Sequence, residues 1–298
     1  AGLCVLPWND PRFPASLLAI PDCPPVLWCR GDPAALWAPL VAIVGSRAAT
    51  AVALETATRL GEDLAAQGVT VVSGLARGVD SAAHRGALRT GRTIAVLGSG
   101  PDRIYPSEHA GLAAEIAGTG LVTTEYPPGT PPNAFHFPQR NRLISGMCRA
   151  VVVIEASERS GSLITAACAL EQGREVMAVP GNVLSGRNRG GHALIRDGAK
   201  IVERADDILE ELGLTPPVAR PRSDGTDDED ASSVITTGRS ATSGDAVLGA
   251  MEAGQAYDFD TLAAGSGLDS ARLLRRLLDL ELQGRVRRVG GGRFIRPI

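Results

Sequence analysis

Six short runs of β-branched and small apolar residues recur between residues 41 and 181, separated by Ala- and Leu-rich stretches. They read VAIVG (41–45), VTVVSG (69–74), TIAVLG (93–98), LVTTE (121–125), AVVVIEA (150–156) and EVMAVPG (175–181). The runs are apolar on both faces, which demands burial from both sides, as in a parallel sheet covered by helices. Strand–helix alternation of this kind predicts an α/β fold built on a doubly wound parallel sheet. Each run closes on Gly, Ser, Glu or Pro, so small and polar groups collect at the carboxyl ends of the strands. That edge is where such sheets bind ligands.

The remainder of the 298 residues divides by composition. Residues 1–40 are rich in Pro and Trp without steady periodicity, and are expected to form an extended lead-in packed on a core at 41–212. Residues 213–244 combine Pro, Ser, Thr and Gly with an acidic cluster and few apolar positions, which marks a flexible linker. From 245 to 298 the pattern predicts three helices and a two-stranded hairpin turning on Gly290, Gly291 and Gly292. That is the layout of a winged helix domain. Arg272, Arg275, Arg276, Arg285, Arg287, Arg288, Arg293 and Arg296 give this module a basic surface suited to DNA or protein. Asp269 and Ser270 stand where a base-reading helix would begin, which favours an auxiliary role with at most weak double-stranded DNA or protein contact.

A net charge of −3 neither favours nor excludes a nucleic-acid partner. Lys200 is the only lysine, so the positive charge is almost wholly arginine. Such a bias has a plain source in GC-rich coding, but it also supplies forked phosphate donors. Cys4, Cys23, Cys29, Cys148 and Cys168 form neither a CxxC pair nor a metal-type spacing, which fits a reducing compartment and no metal site. No signal peptide or membrane-spanning run is visible, so a cytoplasmic protein is expected. The chain opens at Ala1 without a Met, consistent with a trimmed upstream segment.

Five loops at the predicted carboxyl edge carry the candidate chemistry. In IVGSRAAT, Gly45 permits close backbone approach, while Ser46 and Arg47 add a hydroxyl and a guanidinium beside a helix start. In SGLARGVDSAAHRGAL, Arg77 leaves the sheet edge; Asp80 and His84 are assigned structural roles. Tyr105, in LGSGPDRIYPSEH, is either packed or free to stack on a base. In FHFPQRNRLISG, Pro138 is placed in a first helical turn, with Arg140, Asn141 and Arg142 at the helix start. Pairing of these arginines with Glu125 and Glu155 is the alternative. In ERSGSLITAA, Ser160, Gly161, Ser162 and Thr165 surround another helix start, a natural phosphate cradle. No GxGxxG, Walker A or G-x-S-x-G motif occurs, and the four histidines are scattered, so no cofactor and no catalytic residues are assigned.

The ordered motifs VGSR, SGLARGVDSAAHRGAL, TIAVLGSG, IYP, FPQRNRLI, EASERSGSLITAA and VPG resemble those of the DNA-processing protein A family, also called Smf. The resemblance runs from about Pro11 to Leu212, and the C-terminal module resembles the winged helix many members carry. It implies an extended Rossmann-like core and a recombination mediator that binds and protects single-stranded DNA during natural transformation. It further implies help in loading the RecA recombinase, a homodimer, and no enzymatic activity. Carried onto this chain, the strand-binding positions are Gly45, Ser46, Arg47, Arg77, Arg140, Asn141, Arg142, Ser160, Gly161, Ser162 and Thr165. The alternative is a nucleotide-processing enzyme of the phosphoribohydrolase type on a similar core. Thr165 stands where that enzyme would have its Glu, which leaves general catalysis without a donor.

Overall fold

The computed structural model describes residues 2–214, 246–251, 254–266, 268, 270–289 and 293–296. The chain divides into two units, Ala1–Arg222 and Ser223–Ile298. In the first, strands β1 (Leu3–Pro7), β2 (Val26–Gly31), β3 (Leu40–Gly45), β4 (Thr70–Ser73), β5 (Thr93–Val96), β6 (Leu121–Thr124), β7 (Ala150–Ile154), β8 (Glu175–Ala178) and β9 (Lys200–Ile201) form one sheet. Its order is β1-β2-β6-β5-β4-β3-β7-β8-β9. The six apolar runs all become strands, and β3 to β9 pair in parallel. Each gains main-chain partners on both sides, which the purely apolar pattern requires.

The first 31 residues do more than pack on this core. β1 and β2 pair antiparallel with each other and β2 pairs antiparallel with β6, which makes the sheet mixed. Prolines obscured these strands in the sequence. Pro7 ends the edge strand, where a missing N–H is tolerated, and Pro25 precedes β2. Inward Leu6 and outward Val5 follow the period of two.

Helices cover both faces. α1 (Ala15–Leu18), α5 (His136–Met147) and α6 (Ser162–Glu171) pack on one side; α2 (Ala51–Ala66), α3 (Val79–Thr90) and α8 (Ala205–Glu211) pack on the other. β3 shows the division. Ala42 and Val44 enter the first core, whereas Val41 and Ile43 enter the second. α4 (Ala110–Thr119) closes a smaller cluster with Leu75, Leu97 and Val122, and α7 (Arg189–Arg196) leads towards β9.

The second unit holds α9 (Ala246–Gly249), α10 (Phe259–Ser266) and α11 (Ser270–Leu282) with a small sheet of β10 (Ala256–Tyr257), β11 (Arg287–Val289) and β12 (Arg293–Ile295). The sheet order β10-β12-β11 adds a strand to the expected hairpin, too short to leave a sequence signal. Leu273, Leu277 and Leu280 recur at helical spacing and are buried with Val247, Leu262 and Phe294. Arg272, Arg275, Arg285, Arg287 and Arg293 are exposed. Arg296 instead donates to the carbonyls of Leu248 (3.1 Å) and Met251 (3.4 Å), so it serves the fold. Most of the expected linker, together with Asp269 and Gly290–Gly292, lies outside the described residues. Among the described residues no helix is long and apolar enough to cross a membrane, and no cluster of His, Cys, Asp and Glu could hold a metal ion.

Candidate functional site

The carboxyl edge of the parallel strands opens into a cavity of about 370 Å³. Gly45, Ser46, Arg47, Arg140, Asn141, Ser160, Gly161, Ser162 and Thr165 all line it. Arg77 does not; it borders a smaller recess of about 50 Å³ shared with Tyr105, Phe137, Arg47 and Arg140. Arg142 lines neither.

The loop after β3 is shaped by packing. A side chain at Gly45 would lie 1.9 Å from the Ile154 carbonyl oxygen of β7, so glycine is required by the neighbouring strand. Ser46 Oγ accepts from the Ala48 N–H (3.2 Å) and holds the turn. Arg47 is exposed and its guanidinium lies 5.9 Å from the Phe137 ring centroid, a cation–π arrangement. Behind the loop, Glu155 at the end of β7 takes a positive φ of 48°. Its carboxylate accepts from Thr50 Oγ1 (2.5 Å) and the Thr50 N–H, which anchors the start of α2. Glu155 therefore pairs with neither candidate arginine.

α5 places its arginines differently from the sequence expectation. The helix begins at His136, before Pro138, so Arg140, Asn141 and Arg142 occupy its second turn. Residues two apart on a helix point about 200° apart, and Arg140 and Arg142 diverge accordingly. Arg140 is 4% exposed and donates to the main-chain carbonyls of Gly74 (2.9 Å) and Val96. A Cβ on Gly74 would sit 2.6 Å from the Arg140 guanidinium, so Gly74 makes room for it. Burial lowers the Arg140 pKa to about 10, opposed by the charge of Asp80. Asp80 also lines the cavity and its carboxylate accepts from the N–H groups of Gly74 (3.0 Å) and Ala76 (3.3 Å). Burial holds this carboxyl above the usual range, against the pull of Arg140 and those two amides. Asn141 reaches the other way and donates to the Gly161 carbonyl (3.3 Å), joining α5 to the start of α6.

Arg142 turns away from the cavity. Both terminal nitrogens donate to Glu125 (2.7 Å each), and its Nε lies 2.6 Å from Asp22. Burial works against its charge, but the carboxylates more than offset that and its pKa is raised. The Arg142 guanidinium thus has two carboxylates within the fold and lies outside the cavity lining. Arg77 is likewise engaged, by Glu108 at 2.5 and 2.7 Å, though both groups are exposed.

At the start of α6, Ser160 and Ser162 share a hydrogen bond (2.7 Å), and Thr165 sits 1% exposed on the cavity wall. The amino end of this helix, with its positive partial charge, therefore faces the cavity beside Arg47. Each histidine hydrogen-bonds within the fold through one ring nitrogen. His84 is buried and shares a hydrogen bond with Thr93 Oγ1 (2.7 Å); burial drives its pKa down to about 3. His109 meets the Leu75 carbonyl, His136 the Gly98 carbonyl, and His192 the backbone of Gly181.

Phe137, Ser157 and Asp80 line the cavity although the sequence did not assign them to it. Phe137 was legible in principle: with the helix started at 136, residues 137, 140, 141 and 144 share a face. Arg187, an exposed cation, donates to the Ala48 carbonyl (3.2 Å) next to Arg47, with no local signal in the sequence.

Comparison with known proteins agrees with the fold and its motifs. The profile described as DNA recombination-mediator protein A matches residues 4–213, and that of the DprA winged helix domain matches residues 239–292. Protein Smf of Escherichia coli (strain K12) is 40% identical over 293 residues, covering 97% of this chain and 76% of that protein. The X-ray structure of DNA processing protein A from Streptococcus pneumoniae shares 44% identity and a TM-score of 0.68, over 70% of this chain and 74% of that one. A structure of the Helicobacter pylori protein, described for its single-stranded DNA binding mode, shares 29% identity and a TM-score of 0.65, over 70% and 95% of the two chains. The chain belongs to the DNA recombination-mediator protein A family, the DprA/Smf proteins.

Proposed function

We propose that the chain acts in DNA recombination by holding single-stranded DNA along the carboxyl edge of its sheet, with backbone phosphates at Arg47 and the start of α6. One observation carries this. Loops far apart in sequence bring Gly45, Ser46, Arg47, Asn141, Ser160, Gly161, Ser162 and Thr165 to one open cavity whose exposed cation, Arg47, forms no ion pair with a carboxylate among the described residues. Hydroxyls, a guanidinium and a helix amino end favour an anion, and Phe137 adds a flat apolar face for a base. The single-stranded DNA binding described for the Helicobacter pylori relative supports the same class of ligand. The site grips and does not react: its one carboxyl, Asp80, is tied to two main-chain amides, and Thr165 offers no proton at neutral pH. Protection of the strand, its delivery to RecA, and assembly as a homodimer complete the proposal.

The test is salt-dependent binding of labelled oligothymidine by fluorescence anisotropy. Neutralising about 3–6 phosphates gives a log–log slope of roughly −2 to −4. Binding that ignores salt, or none at low ionic strength, overturns the proposal. Delivery to RecA is read separately, as faster RecA assembly on strands covered by the protein.

A further inference from the structure

The edge of the sheet farthest from β9 carries a pair of thiols. Cys4 on β1 and Cys29 on β2 are direct partners in the antiparallel register. Directly opposed residues project to the same face with Cβ atoms about 4.5–5.5 Å apart, and disulfide formation needs about 3.5–4.5 Å. Here that face is the core: Cys29 is fully buried beside Leu6 and Leu27, and Cys4 is half-buried against the same cluster. The Cys29 thiol meets Thr123 Oγ1 at 3.3 Å. Arg12 is close enough to interact with both sulfurs while its guanidinium is held by Asp10 at 2.7 and 2.9 Å.

We propose that Cys4 and Cys29 form a redox-sensitive staple, open in a reducing compartment and closed to a cross-strand disulfide by a low-molecular-weight disulfide. All five cysteines are free in the structure, the open state. Cys4 is the entry point, because it lies on the edge strand and is half-buried, whereas burial pushes the Cys29 thiol up to about 12. The Cys4 thiolate attacks one sulfur of glutathione disulfide; a glutathione thiolate leaves and takes up a proton. Cys29 then loses its proton, and its sulfur attacks that of Cys4, expelling the second glutathione. The two protein sulfurs are oxidised by two electrons in total, and one glutathione disulfide becomes two glutathiones.

The closed loop would span α1 and the residues that grip α5. Ser16 Oγ donates to the Met147 carbonyl (3.1 Å), and Asp22 holds Arg142. The staple therefore fastens the segment that braces the helix carrying Arg140 and Asn141.

The experiment treats the native full chain with glutathione disulfide, then blocks free thiols, digests without reductant and maps linked peptides. The expected result is a Cys4–Cys29 peptide, loss of two hydrogen atoms in intact mass, and a Tm rise of roughly 5 °C reversed by dithiothreitol. C29S should stall at a Cys4–glutathione adduct, while C4S should leave Cys29 unmodified. A native chain that gains only glutathione adducts, or links Cys4 and Cys29 only after denaturation, overturns the proposal. The wild-type peptide map decides this even if a variant fails to fold.

Discussion

Arg47 and Arg142 are both arginines beside a helix that borders the sheet edge, yet they belong to different regions electrostatically. The loop after β3 leaves Arg47 exposed over an aromatic ring, beside the amino end of α6. The second turn of α5 sends Arg142 into Glu125 and Asp22. Between them lies Arg140, buried and bonded to main-chain carbonyls. The lesson is that an arginine-rich motif does not amount to an anion site. What counts is which guanidinium still lacks a carboxylate or a carbonyl once the chain has folded.

Substitutions can break or sharpen this division. The largest effect is expected at Arg140. Removing its side chain takes the donor from the Gly74 and Val96 carbonyls and the neighbouring cation from the buried Asp80 carboxylate, which costs about 3–5 kcal/mol. Arg140→Ala should therefore lose stability in denaturant titration before any binding defect can be assigned. A variant as stable as wild type would move Arg140 into the ligand-binding group. Next is Arg142→Ala, expected to lower stability by about 1–3 kcal/mol, because Glu125 is poorly exposed and loses its partner. Its affinity for oligothymidine should stay within about twofold of wild type. A large affinity loss at unchanged stability would erase the distinction between the two regions.

A buried histidine of the first unit sets a pH dependence. His84 has a folded pKa of about 3 against an ordinary 6.5. Between those values the unfolded chain binds a proton that the folded chain refuses. Stability contributed by neutral His84 is thus complete above pH 6.5 and declines as pH falls, by up to about 1.4 kcal/mol per pH unit. Urea titrations at pH 7, 6 and 5 should show this slope, and His84→Gln should flatten it whatever its stability at pH 7. The smallest effect is expected at Arg77. Its exposed pair with Glu108 is worth little, and it borders only the smaller recess, so Arg77→Ala should shift oligothymidine affinity by less than about threefold in the same anisotropy assay.

The parallel sheet was legible because β3 to β8 are short, largely apolar runs that alternate with helical stretches. β1 and β2 were hidden by prolines at their ends, and β9 and β10, of two residues each, carry no period at all. The site was legible as loops, since Gly45–Arg47 and Ser160–Thr165 sit where strands hand over to helices. Partner choice was not. Asp22 and Glu125 are distant in sequence from Arg142, and nothing periodic joins them to it. The start of α5 was read two residues late, which left Phe137 outside the helix and off the face it shares with Arg140, Asn141 and Ile144.

The division between an open and a saturated arginine is decided by one side-by-side titration of Arg47→Ala and Arg142→Ala against labelled oligothymidine. A groove centred on Arg47 requires a loss of about tenfold for the first, roughly 1.4 kcal/mol, with a salt slope shallower by about 0.7 and unchanged stability. The second must bind as wild type does. Equal losses in both, or full affinity without Arg47, would contradict it.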